Sequence, residues 1–273
     1  LPGMTDLSLT WTLLFSAALV LGLLLKLYLS SRQIRHVARH RDTVPPAFAA
    51  TISLASHQKA ADYTIAKLRL GLLEMGLSAA ILLGWTLLGG LSALDALIGA
   101  SPIAQWGPLA QQVTLVAAFA LIGALLDLPL SWYATFRLEE RFGFNKMTPG
   151  LWLGDLLKSS LVGAVIGLPI VALILWLMGA AGASWWLWAW LAWTCLNLLL
   201  MLVYPSFIAP LFNQFKPLED DGLKARVTAL MQRCGFSAKG LFVMDGSKRS
   251  AHANAYFTGF GAAKRVVFYD TLL

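Results

Sequence analysis

Five apolar stretches, at 7–29, 70–91, 108–133, 156–178 and 185–204, constrain this sequence more than any other feature. A bilayer hydrocarbon core about 30 Å thick takes roughly 20 residues of helix to cross. Each stretch meets that length, and a soluble core built from 273 residues does not call for five of them. Composition agrees: 58% of residues are hydrophobic and 13% charged, against about 45–50% and about 25% in an ordinary soluble domain. The predicted fold class is an all-α polytopic membrane protein with at least five transmembrane helices and a small α+β cytoplasmic segment. Two cysteines are too few for a disulfide-stapled secreted module. The net charge of +7 does not point to nucleic acid, because the apolar content is not confined to one core-sized block.

Basic residues give an orientation. Seven Lys and Arg lie in 30–69, four in 134–158 and nine in 205–273, while 92–107, 179–184 and the stub before Leu7 hold none. Positive charge collects on the cytoplasmic side. The N-terminus is therefore expected outside and residues 205–273 in the cytoplasm, dividing the chain into a membrane domain (1–204) and a cytoplasmic α+β segment (205–273). Trp185, Trp186, Trp188 and Trp190 open the fifth span at the expected headgroup level. Leu1-Pro2-Gly3 before Met4 reads as a scar of tag removal, and the first span is too long, and lacks the basic leader and small-residue cleavage site, for a signal peptide. Cys195 in the fifth span and Cys234 in the cytoplasmic part are not expected to pair.

Acids at bilayer depth usually face a protein interior or a water-filled cavity. Glu74 and Asp127, with Asn197 in the fifth span, are thus candidates to line a chamber. The alternatives are an interfacial position for each acid, near Arg69 and just before Pro129, and a bond to a neighbouring helix for Asn197. His36 and His40 share a helix face at i and i+4, a spacing that suits zinc. Val37 follows the first His where a metalloprotease carries Glu, and Arg35, Arg39 and Arg41 surround the pair, so a basic helix at the membrane surface is expected there. In the second connection, 137–149, Gly143 and Pro149 bracket a turn, and Glu139 and Glu140 are expected to pair with Arg137 and Arg141 along a solvated helix.

Beyond Pro205 the pattern gives an irregular segment at 210–218, then a helix opened by Glu219-Asp220-Asp221 and closed near Gly235. Three strands are expected, around 241–244, 253–257 and 265–269, the last two joined through Gly259 and Gly261. Asp270-Thr271-Leu272-Leu273 reads as an N-cap and first helical turn. One helix and a small sheet have little with which to cover the sheet's second face, so a further packing helix is expected past Leu273.

The segment S-A-H-A-N-A-Y-F-T-G-F-G-A-A-K-R-V-V-F-Y-D-T-L-L (250–273) resembles the stretch before the catalytic helix of the integral-membrane zinc CAAX prenyl proteases and their bacterial homologues. F-G-F-N-K-M-T (142–148), P-L-F-N-Q-F-K-P-L (210–218) and the order of the five spans carry the same resemblance. It implies seven spans around a water-filled chamber and an endopeptidase whose zinc is held by an HExxH helix and a later Glu. No HExxH occurs in this sequence, whose four His are His36, His40, His57 and His252. Hence no catalytic residue or zinc ligand is assigned in this chain, and the zinc site is expected beyond Leu273 in the C-terminal catalytic segment. Within the resemblance His252–Tyr256 form an edge strand for substrate: Asn254 holds a carbonyl, Tyr256 walls the cleft, and His252 and Ala255 share the segment. An extended peptide adds to such an edge through main-chain hydrogen bonds. The implied partners are a peptide or protein substrate, prenylated or not, and the lipid bilayer of a bacterial inner membrane. The alternatives are an inactive homologue acting as a membrane scaffold and a transporter; no internal repeat supports the latter.

Overall fold

The computed structural model of the chain describes residues 2–259 and 264–273. The turn expected at Gly261 and the leading Leu1 lie outside these residues. Among the described residues five helices are long and apolar enough to cross a membrane: Leu7–Arg39, Leu54–Thr86, Pro108–Phe142, Pro149–Ala180 and Gly182–Leu211. At most 6% of the most apolar window of any of them is buried by the described protein. Their outward faces are therefore apolar and suited to lipid.

The first is part of α1 (Pro2–Arg39), which passes without a break from apolar to basic sequence. α2 (Leu54–Thr86) starts at Ser53, whose hydroxyl accepts the Ser56 N–H, and not directly after Pro45-Pro46. Pro46–Phe48 form instead a single 3-10 turn. The second apolar stretch extends to Leu91, but its helix stops at Thr86. Gly89 takes a left-handed φ of 78°, and a Cβ at Gly90 would lie 2.6 Å from the Gly84 carbonyl oxygen. A short helix, α3 (Gly90–Gly99), follows where the sequence pattern suggests a plain connection.

α4 (Pro108–Tyr133) includes Pro129 and continues through a π-helical stretch, Ala134–Glu139, into a last α-turn, α5 (Glu140–Phe142). Thr148 caps α6 (Pro149–Ala180) by accepting the Leu151 N–H, with Pro149 at the first helical position. α7 (Trp185–Val203) opens on the tryptophan cluster and ends in a π turn at Tyr204–Ile208.

Among the remaining described residues are a four-stranded sheet and one α-helix. α8 (Asp221–Arg233) is capped by Asp220, whose carboxylate accepts the Leu223 N–H. The strands are β1 (Phe215–Pro217), β2 (Gly240–Met244), β3 (Ala255–Thr258) and β4 (Arg265–Tyr269), in the order β1-β2-β4-β3. β2 and β4 are parallel, with antiparallel β1 and β3 on the two edges. The sequence pattern predicts only three of these strands. The fourth, β1, sits in the proline-flanked stretch that reads as irregular because its pairing, Phe215 with Met244, is set by a distant partner.

The chain groups into two compact units, Leu1–Leu97 with Leu126–Leu138, and Ile98–Leu125 with Glu139–Leu273. In the first, α1 and α2 pack together. Arg41 holds Asp62 with two hydrogen bonds (2.7 and 2.9 Å), and His57 Nε2 meets the His40 carbonyl at 2.9 Å. In the second, the sheet core is Leu241, Met244 and Val267. Arg265 reaches back to the Pro205 carbonyl and the Ser206 hydroxyl, fixing the sheet to the end of α7. Cys195 and Cys234 are both free thiols.

Candidate functional site

Three separate sequence stretches meet at one residue, Arg249. Its Nε and Nη2 donate to the two Asp155 carboxylate oxygens at 2.7 and 3.0 Å. Nη1 donates to Asn213 Oδ1 at 2.9 Å, and Nη2 also to the Phe212 carbonyl at 2.7 Å. A planar guanidinium suits such a fork of acceptors, and a lysine does not. The arginine is 21% exposed and its aspartate 17%, so the pair is largely withdrawn from water. The Arg249 carbonyl in turn accepts the Lys146 N–H at 3.1 Å. One residue thus ties the start of α6, the 210–218 segment and the 143–148 loop to the approach to β3. Nothing in the local sequence marks Arg249 as more than part of a basic turn.

The 143–148 loop is shaped by its own residues. Gly143 takes φ 80° to end α5. Asn145 accepts the Met147 N–H and donates to the Glu140 carboxylate. The loop then lies alongside 249–251, with Asn145 opposite Ser250 and the Ala251 N–H donating to the Phe144 carbonyl. His252 completes the junction. Its ring stacks on Phe144 at 4.1 Å, its Nε2 meets Glu139 Oε2 at 3.1 Å, and its carbonyl accepts the Thr271 hydroxyl. Glu139 and Glu140 therefore reach His252 and Asn145, in place of the partners along the helix that their spacing predicts.

From this junction the chain enters β3, an edge strand. The edge strand expected over 252–256 begins three residues later, at Ala255, and runs to Thr258. The Asn254 carbonyl accepts the Tyr269 N–H, while its side-chain oxygen accepts the Ala255 N–H at 2.8 Å. Antiparallel alternation then turns the main-chain groups of Ala255 and Phe257 to the open edge, and Asn254 covers the first of those amides. Tyr256 faces the other way. It lines a small cavity with Tyr204, Pro205, Phe242, Arg265 and Val267, and meets Tyr269 edge-to-face at 6.2 Å. Burial raises its phenol pKa, with the nearby Tyr269 and Tyr204 adding to the effect. On the opposite face Phe257 is 69% exposed and meets Phe236 edge-to-face.

Just past β4, Asp270 does not cap the turn it opens. Its carboxylate accepts the amide and hydroxyl of Ser247. Partial burial works to raise this pKa, but the bonds from Ser247 and from the Thr271 and Asp270 amides outweigh it, and the net shift is downward.

The remaining candidates are dispersed. Glu74 lines a groove between α1 and α2 together with Lys26, Lys67 and Ser78. Asp127 on α4 is exposed, with no side-chain partner among the described residues. Asn197 is also exposed and donates to the Trp193 carbonyl of its own helix at 2.7 Å. Among the described residues no group of three or more His, Cys, Asp and Glu is placed to hold an ion. The His36 and His40 rings lie 4.4 Å apart, but the His40 Nδ1 is engaged by the His36 carbonyl. The His252 Nε2 is taken by the Glu139 carboxylate.

Comparison with known proteins decides the kinship. Residues 33–214 match the family described as CAAX prenyl protease N-terminal, five membrane helices, and 217–273 match peptidase family M48. The chain belongs to the M48 peptidases. It is 43% identical over 168 residues to CAAX prenyl protease 1 of Saccharomyces cerevisiae, covering 60% of this chain and 37% of that protein. To the human CAAX prenyl protease 1 homolog it is 38% identical over 173 residues, covering 62% and 36%. The crystal structure of S. mikatae Ste24p superposes with a TM-score of 0.86 at 34% identity, over 96% of this chain and 61% of that one. The chain therefore spans little more than a third of the length of these curated relatives. All three are eukaryotic.

Proposed function

We propose that this M48 chain forms the substrate-binding side of a membrane-embedded zinc metalloendopeptidase that hydrolyses peptides of the CAAX prenyl protease class. The observation that carries this reading is the open edge of β3, rigidly set by the Arg249 and His252 junction. An extended peptide gains main-chain hydrogen bonds to the Ala255 and Phe257 groups, with Asn254 exchanging its bond to the Ala255 amide for one to the substrate. His252, Asn254, Ala255 and Tyr256 are the proposed substrate-side residues; Tyr256 acts from beneath the strand as support. Glu74, Asp127 and Asn197 are proposed to face the water of a chamber. No metal ligand is proposed within residues 1–273, so no catalytic step is assigned to any of them. A prenylated substrate, a bacterial inner membrane and a cytoplasmic 205–273 belong to the same proposal, as does the division at residue 204.

A farnesylated CAAX peptide carrying a benzophenone two residues before its cysteine tests the reading. Photolysis with the purified chain should attach label within 252–258, and Phe257→Pro, which removes an edge N–H, should reduce it severalfold. Label confined to other segments overturns the assignment.

A further inference from the structure

The basic end of α1 carries a feature that peptide hydrolysis does not use. Tyr28, Arg32, Arg35 and Arg39 follow one another at helical spacings of four, three and four, which brings them to one face of the helix. With His36, Gln33 and Leu68 they line an open groove of about 870 Å³. Among the described residues the side chains of Arg32, Arg35 and Arg39 make no ion pair or hydrogen bond, in contrast to Arg41, which Asp62 and Asp42 neutralise. Three unpaired guanidinium groups and a histidine in one concave patch present a concentrated positive field to whatever lies against them.

The groove is also at a defined depth. Its first arginine, Arg32, comes three residues after the apolar run 7–29 ends, where phosphate headgroups lie beside a membrane-spanning helix. A second groove, of about 670 Å³, adjoins it and shares Leu29, Ser30 and Leu68. This one follows the α1–α2 seam back into the apolar zone past Leu23, Leu19, Met75 and Leu82. Lys26, Lys67 and one acid, Glu74, also line this groove. A charged mouth continuous with an apolar slot matches a molecule with an anionic head and a hydrocarbon tail.

We infer that α1 and α2 form a binding site for one anionic phospholipid. Its phosphate sits on Arg32, Arg35 and Arg39, and one acyl chain lies along the seam. Free phosphate satisfies only the mouth, so it is expected to bind poorly, and a zwitterionic lipid carries a cation that the arginines repel.

The test uses the delipidated chain in a neutral detergent and counts bound ligand by native mass spectrometry. The probes are dioctanoyl phosphatidic acid, dioctanoyl phosphatidylcholine and inorganic phosphate. One phosphatidic acid per chain should bind at least about tenfold more tightly than phosphatidylcholine, with phosphate failing to compete. Combined Arg32→Gln, Arg35→Gln and Arg39→Gln should weaken phosphatidic acid by about tenfold or more. Lys224→Gln, Arg226→Gln and Arg233→Gln on α8 remove the same charge and should leave it unchanged. Gly71 lines the seam, and a Cβ there meets no atom within 4 Å. Gly71→Leu should therefore fold and obstruct the tail, again weakening binding. Equal binding of the two lipids, competition by phosphate, or indifference to the three arginine substitutions or to Gly71→Leu overturns the site.

Discussion

At the scale of single residues, Arg249 concentrates the most interaction in the least sequence. It gives four hydrogen bonds, two to a carboxylate that is itself only 17% exposed. Replacing it by lysine keeps the charge but loses the fork and leaves Asp155 or Asn213 short of a donor. Arg249→Lys should cost about 2–4 kcal/mol, measured as a lowered urea midpoint in detergent. Asp155→Asn should cost at least as much, since it leaves the largely buried Arg249 guanidinium without its counter-charge. Asp270 makes a different prediction. Its carboxyl titrates below its ordinary value of 3.8 in the folded chain, so the stabilisation it gives the Ser247 turn is fully present above that value. It is lost only as pH falls through the lower folded one. The Ser247 amide resonance, followed on acidification, should hold its folded position through the normal carboxylate range and then move. In Asp270→Asn that acid transition should vanish.

At the scale of elements, α8 shows how closely a local pattern determines local structure. Gly235 follows the helix with φ 63°. The Phe236 N–H returns to the Met231 carbonyl at 2.8 Å and the Gly235 N–H to Gln232 at 3.1 Å, the paired closure of a Schellman motif. Any side chain at 235 crowds its own backbone, so Gly235→Ala should cost about 1 kcal/mol. The expected readout is earlier denaturant unfolding of α8 with little change elsewhere. Such features are legible in the sequence because their causes are adjacent: the Asp220 cap, the Gly235 stop, the Val-Val-Phe-Tyr run of β4, and the tryptophans that open α7. The parts that escape have distant causes. Asp155 and Arg249 are 94 positions apart, and neither has a local pattern that announces the other. β1 is a strand only because β2 lies beside it. α3 is hidden because a glycine-bounded stretch of ten residues resembles a loop until the backbone contact between Gly84 and Gly90 is seen. The edge strand begins two residues later than its pattern suggests, at Ala255, whose N–H is taken by the Asn254 side-chain oxygen.

At the scale of the whole molecule, the five spans and the basic residues between them are both visible from composition, since the bilayer acts on long averages and not on single contacts. The helices leave nearly all of their apolar windows uncovered, and no aqueous arrangement of this chain tolerates that much exposed hydrocarbon. Orientation is the property that charge alone predicts. The connections on one side carry twenty of the twenty-one Lys and Arg, and those on the other carry none. Reversing the chain would move every one of these charges across the membrane. Cys234, an exposed thiol after α8, and Ser184→Cys, in the exposed turn before α7, report on opposite faces in a chain whose Cys195 is replaced by serine. A membrane-impermeant maleimide added to intact cells should label the thiol introduced at position 184. Cys234 should react only after permeabilisation, because the nine basic residues of 205–273 predict an inner-side location for it. Labelling of Cys234 in intact cells would reverse the orientation and place the β3 edge where no cytoplasmic peptide reaches it.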